Sequence, residues 1–137
     1  MEPIFQNEKS KSVTSADRDK KYYLMYAENA VSDEDFRGGF NAILEDVKAN
    51  KYNKIIIDLE KVTSTPMAAR LWLVSTYLPE LYKNVESGLQ IGIINTKSWI
   101  EGATISLLVT SIQALGFNLG IKFYKNVPEA QTALGVA

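Results

Sequence analysis

Neither cysteine nor histidine occurs in the 137-residue chain. Without thiols there can be no disulfide, thiolate nucleophile or thiolate metal site, and the chain suits a reducing compartment. Without imidazole, a Ser-His-Asp or Cys-His nucleophilic site cannot be assembled, and the usual neutral-pH proton shuttle is missing; only lysine or carboxylate bases remain. Basic patches are lacking too. Lysine and arginine number 15 against 16 acids, a formal net charge of −1, and the lysines are spread among the acids. Nothing there neutralises a run of phosphates, so nucleic acid is excluded as an expected partner. No G-x-x-x-x-G-K or G-x-G-x-x-G follows a strand, so no nucleotide cofactor is expected, nor any other. The opening MEPIFQNEKSKS has acids and lysines where a secretory signal needs an apolar stretch, which predicts a cytoplasmic protein.

One uncharged stretch, residues 102–121, has roughly the length that spans a bilayer. Thr104, Ser106, Thr110, Ser111, Gln113 and Asn118 dilute it, and Gly116 and Gly120 mark a helix end and a turn, so it reads as a buried helix leading into a strand rather than a membrane insertion. Apolar residues at 46% and charged residues at 23% describe an ordinary globular chain of single-domain length. Residues 1–10 read as a flexible terminus or short edge strand, and 11–137 as one domain.

Patterning predicts the order ββαβαβαβα. Residues 10–15 and the aromatic run 22–27 form a hairpin. Ser32 with Asp33, Glu34 and Asp35 caps a helix whose apolar face is Phe36, Phe40, Ile43, Leu44 and Val47, weakened by Gly38 and Gly39. Those acids read as capping rather than as a metal site, since no oxygen-ligand loop surrounds them. Lys54-Ile55-Ile56-Ile57-Asp58-Leu59 is a β-branched run typical of a central strand buried on both faces. Thr65 and Pro66 then offer an N-cap and first-turn proline for a helix with Met67, Leu71, Val74, Leu78 and Leu81 on one face, and Pro79 predicts a kink or break near residues 75–77. Strands at 89–94 and 120–124, a helix at 102–115 and a short one at 128–134 complete a mainly parallel or mixed five-stranded α/β sheet with flanking helices.

In open parallel sheets ligands gather outside the carboxyl ends of the strands. Asp58 stands at such an end; it can face a ligand or cap a turn amide. Ser64 and Thr65 can receive an anion or phosphorylation, or simply cap the helix. Asn95, Thr96 and Trp99 leave the next strand at the same edge and can wall the same pocket, with Trp99 exposed if it serves binding and buried if it serves the core. The helix at 102–115 carries more apolar residues than one sheet-facing stripe needs, which makes Leu107 and Val109 a possible homodimer face.

The 54–59 strand, the Val31-Ser32-Asp33-Glu34-Asp35-Phe36 helix start, Leu71-Trp72, Leu78-Pro79-Glu80-Leu81 and the Leu89-Gln90-Ile91-Gly92-Ile93-Ile94 strand together resemble the STAS-like domains, in their SpoIIAA-like branch. The resemblance spans about residues 22–134. It implies a non-catalytic interaction module, as in anti-sigma-factor antagonists switched by serine phosphorylation or regulatory domains of anion transporters, with a fold kinship to lipid carriers. In the antagonists a strand-end aspartate and a hydrophobic residue four places on precede Asp-Ser-Ser-Gly, whose first serine is phosphorylated. Asp58 and Val62 match, but Pro66, Met67, Ala68 and Ala69 occupy the motif's place, so the phosphoacceptor is absent in register. The expected function is protein binding through Glu60, Ser64, Thr65, Met67 and the following helix. The alternatives are a carrier with an apolar cavity between sheet and helices for a small molecule or lipid, and an enzyme pairing Asp58 with a lysine.

Overall fold

The computed structural model describes residues 1–7, 11–85, 88–94 and 119–137. Strands β1 (Glu2–Asn7), β2 (Ser12–Asp17) and β3 (Tyr22–Tyr26) form an antiparallel meander. From β3 the sheet continues in parallel through β5 (Lys54–Asp58), β7 (Leu89–Ile94) and β8 (Leu119–Tyr124), in the order β1-β2-β3-β5-β7-β8. The sheet thus has six strands where five were expected. The addition is β1, the short edge strand that is one of the two sequence readings of residues 1–10; its residues are mostly exposed or half-buried and show little of the period-two pattern that marks a strand in sequence. A second ladder pairs β4 (Asn29–Ala30) with β6 (Val62–Ser64), two short segments with no apolar pattern of their own.

The β2–β3 turn is built as its polar residues require. The Asp17 carboxylate accepts the Asp19 and Lys20 amides at 3.0 and 2.9 Å, the Asp17 carbonyl accepts the Lys21 N–H at 2.8 Å, and Lys21 takes a φ of 59°.

Helix α1 (Asp33–Asn50) starts where Ser32 accepts the Asp35 N–H at 3.1 Å, has three acids at its positive end, and stops at left-handed Lys51. Its buried Phe36, Phe40, Ile43 and Val47 lie on the sheet with Tyr23, Met25, Ile55 and Ile57. Gly38 and Gly39, which lower helix propensity, are what allow this approach: a Cβ at Gly38 would fall 2.6 Å from the Phe5 ring, and one at Gly39 would fall 2.4 Å from Met25 Cε and 2.9 Å from Thr14 Oγ1. Ile56 points to the other face, where α4 (Val127–Leu134) adds Ala130 and Leu134 to Tyr22 and Ile94. The central strand is therefore buried on both sides, each isoleucine contributing about 1.5–3 kcal/mol by leaving water. Asn126 caps α4 by accepting the Glu129 N–H at 2.9 Å, and left-handed Gly135 ends it.

Between β6 and β7 one helical rod runs through α2 (Met67–Trp72), a π-helical segment Leu73–Tyr77, and α3 (Leu78–Asn84). The irregularity falls where proline predicts it. Pro79 has no N–H for the carbonyl four residues back, and the ladder widens to i→i+5 just before it. Thr65 is not the N-cap. Pro66 holds that position with extended backbone, and no side chain caps the helix, because Ser64 and its neighbours are drawn into the ladder with β4.

At the meander end, Arg18 holds both Asp46 oxygens at 2.9 Å, also bonds Glu2, and lies over the Tyr52 ring. Tyr23 donates to the same Asp46 at 2.6 Å. Burial alone would raise the Asp46 pKa, but the bonds from Arg18, Tyr23 and Asn50 outweigh it and hold the carboxyl below its ordinary value.

Candidate functional site

The carboxyl ends of the parallel strands align Tyr26 with Asp58 and Asp58 with Ile94. The chain leaving β3 and the chain leaving β5 are then stitched side by side: the Asn29 N–H donates to the Lys61 carbonyl at 2.8 Å and the Val31 N–H to the Ser64 carbonyl at 3.0 Å. Asn29, at φ 61°, makes the bend that brings them together, a conformation asparagine tolerates. Residues 59–66 are thereby held as a ledge beside the sheet edge rather than a free loop.

Asp58 is half-buried on this ledge and accepts the Glu60 N–H at 3.2 Å, so it does cap its turn. Burial pushes its carboxyl above the usual range; the Glu60 amide bond opposes this, the Glu60 charge adds to it, and Lys61 opposes it. Among the described residues no lysine forms an ion pair with Asp58. Beside it Tyr26 donates to Glu28 at 2.5 Å, and Lys11 lies 3.6 Å from Glu28. That hydrogen bond, with burial second, pushes Tyr26 up to about 12, so its hydroxyl stays a donor at neutral pH. Among the described residues no three potential metal-ligating side chains converge, and no helix is long and apolar enough to cross a membrane.

Glu60 and Ser64 are exposed, Thr65 is half-buried, and Met67 is 67% exposed. These residues occupy one continuous run from the ledge onto α2. Asn95, Thr96, Trp99, Leu107 and Val109 lie outside the described residues.

Helix α2 departs from the sequence expectation in an instructive way. Met67, Leu71, Val74, Leu78 and Leu81 share one face of an ideal α-helix, yet Val74, Leu78 and Leu81 are buried while Met67 and Leu71 are exposed, Leu71 by 40%. The π segment explains the split, because one residue added to a turn rotates everything beyond it by about 100°. The buried face therefore runs through Ala69, Leu73 and Tyr77 before reaching Leu81. Met67 and Leu71 are left pointing outward, one turn apart, with Ser75 the next exposed residue along the row.

Two arginines flank this outward face. Arg37 of α1 stacks over Trp72 with its guanidinium 5.0 Å from the ring centroid and pairs with Asp33 at 3.0 Å. Arg70 is half-buried; among the described residues its Nε, shielded from water, finds no acceptor and no carboxylate pairs with it. An unmet buried donor of this kind costs about 1–3 kcal/mol. Neither Arg70 nor the outward turn of Leu71 was legible beforehand, since a guanidinium's partners and a π segment's phase are both tertiary facts.

Between the sheet and α1, Phe5, Met25, Val31, Phe36, Phe40 and Thr65 line a cavity of about 20 Å³, room for one water rather than for a lipid or metabolite.

No protein-family model matches the chain, and no curated protein matches it. Among solved structures it is similar to an uncharacterised DUF3478-family protein with a SpoIIAA-like fold from Shewanella loihica PV-4: 17% identity, TM-score 0.55, 90% of this chain against 91% of that one. A second likeness, to a structure of Mglu, has 13% identity and a TM-score of 0.38 over 59% of this chain and 19% of that one, too slight to carry an argument. The chain has a SpoIIAA-like fold, as its strand and helix motifs implied.

Proposed function

We propose that this SpoIIAA-like domain is a non-catalytic interaction module that binds a protein partner through the 59–66 ledge and the outward side of α2. The observation carrying the reading is the pair Met67 and Leu71, large apolar side chains left exposed on a helical rod that buries Leu73, Val74, Leu78 and Leu81. Large apolar side chains grouped beside polar ones on an otherwise charged surface favour contact with another macromolecule. The polar groups around Asp58 are consumed in turn and strand-end hydrogen bonds, which supports a structural rather than a catalytic use. The module works without the in-register serine switch, since Pro66 to Ala69 take that motif's place, and in the cytoplasm, consistent with the absence of cysteine.

Native mass spectrometry of the protein isolated from its own host tests this. A complex with a second protein, lost when Met67 and Leu71 are both changed to serine, supports it. A retained small-molecule mass and no protein partner would replace it with the carrier reading, and the same spectrum reports any homodimer.

A further inference from the structure

The proposed interaction face has a charge character as well as an apolar one. Arg70 sits three residues after Met67 and directly before Leu71, so one turn of α2 presents two exposed apolar side chains around a guanidinium. A guanidinium stays charged at every physiological pH and offers five donors in a planar fork. Here Nε is shielded from water without an acceptor, and no carboxylate of the described chain approaches. Arg37, by contrast, is already engaged with Asp33 and Trp72. The chain itself closes off Nε, but the side chain is only half-buried, so an incoming carboxylate would pair with the guanidinium from its open side and supply the counter-charge that the described chain does not; a fork-to-carboxylate pair is both strong and directional. A neutral or basic segment would leave the guanidinium without a counter-charge in a drier setting.

Resting on the reading above, we infer that the α2 face takes an acidic, amphipathic segment of a partner protein, with an Asp or Glu carboxylate seated on Arg70 and flanking apolar side chains against Met67 and Leu71. The test is to pan a random-peptide display library against the full chain, against Arg70→Gln, and against the Met67→Ser/Leu71→Ser double variant, after thermal melts confirm that each is folded. The expected result is enrichment of peptides with Asp or Glu next to apolar residues. Their affinity falls roughly tenfold or more in Arg70→Gln, is partly kept in Arg70→Lys, and is lost in the double variant. Enriched peptides that are neutral or basic, lost in the double variant but indifferent to Arg70, would overturn the acidic specificity and leave the interaction face standing. Peptides indifferent to all three changes, or no enrichment, would overturn both.

Discussion

Changing Gly39 to alanine ought to stabilise an ordinary helix, and in this protein it should do the opposite. In an unconstrained helix interior the swap gains about 1 kcal/mol. The added Cβ would meet two buried partners, Met25 Cε at 2.4 Å and Thr14 Oγ1 at 2.9 Å. The methionine tip can swing, but Thr14 is 1% exposed on a paired strand and its hydroxyl has little room to retreat. Overpacking of this kind costs about 1–3 kcal/mol, so after the helix gain the net expectation is a loss of up to roughly 2 kcal/mol. Urea unfolding followed by circular dichroism reads this as a lower midpoint at unchanged slope. Adding Met25→Leu should recover part of the loss, because leucine ends near the position of the methionine sulfur, 3.9 Å from the new Cβ and an ordinary contact. Gly38→Ala meets only the edge of Phe5 on the outermost strand, which can shift, and should lie closer to neutral. A Gly39→Ala protein more stable than the parent would refute the close approach of α1 to the sheet.

Other expectations concern the two carboxylates with opposed environments. The folded-state pKa of Asp58 is raised, so its contribution to stability is present at acid pH and lost as pH rises through that raised value. Asp58→Asn, which keeps the acceptor for Glu60, should therefore be at least as stable as the parent at neutral pH, with the advantage vanishing on acidification in urea titrations at several pH values. Asp46 has its pKa lowered, so its contribution is present above the unfolded carboxylate pKa and is lost as pH falls through the folded one. Asp46→Ala, which takes one of Arg18's two carboxylate partners and the Tyr23 hydroxyl's acceptor, should cost about 1–3 kcal/mol at neutral pH and progressively less in acid, measured the same way.

Much of this architecture was written in local pattern. The β-branched 54–59 run, the Ser32 cap and the apolar step of α1 each combine a strong local preference with a matching tertiary role, so the sequence and the fold agree there. For residues 1–10 the pattern leaves a flexible terminus and an edge strand open, and the β4–β6 ladder escapes it altogether, because both are held by pairing and, for β1, by clamps such as Arg18 to Glu2 rather than by apolar periodicity. Pro79 announced a disturbance but not its consequence, since periodicity counts residues at a constant 3.6 per turn and a π segment breaks that count. The same break separates Met67 and Leu71, which are exposed, from Val74, Leu78 and Leu81, which share their face in an ideal helix and are buried. Glycines 38 and 39 looked like weaknesses of a helix and proved to be its contact surface.

The most direct test of the interaction face is site-specific photocrosslinking in the host cell, with a photoreactive residue at Leu71 and, as a control on the far side of α1, at Glu45. A discrete crosslinked protein at Leu71, absent at Glu45 and weakened by Arg70→Gln, is the expected result. Equal crosslinking at both positions, or none at Leu71 while the protein is folded, would contradict a binding role for α2.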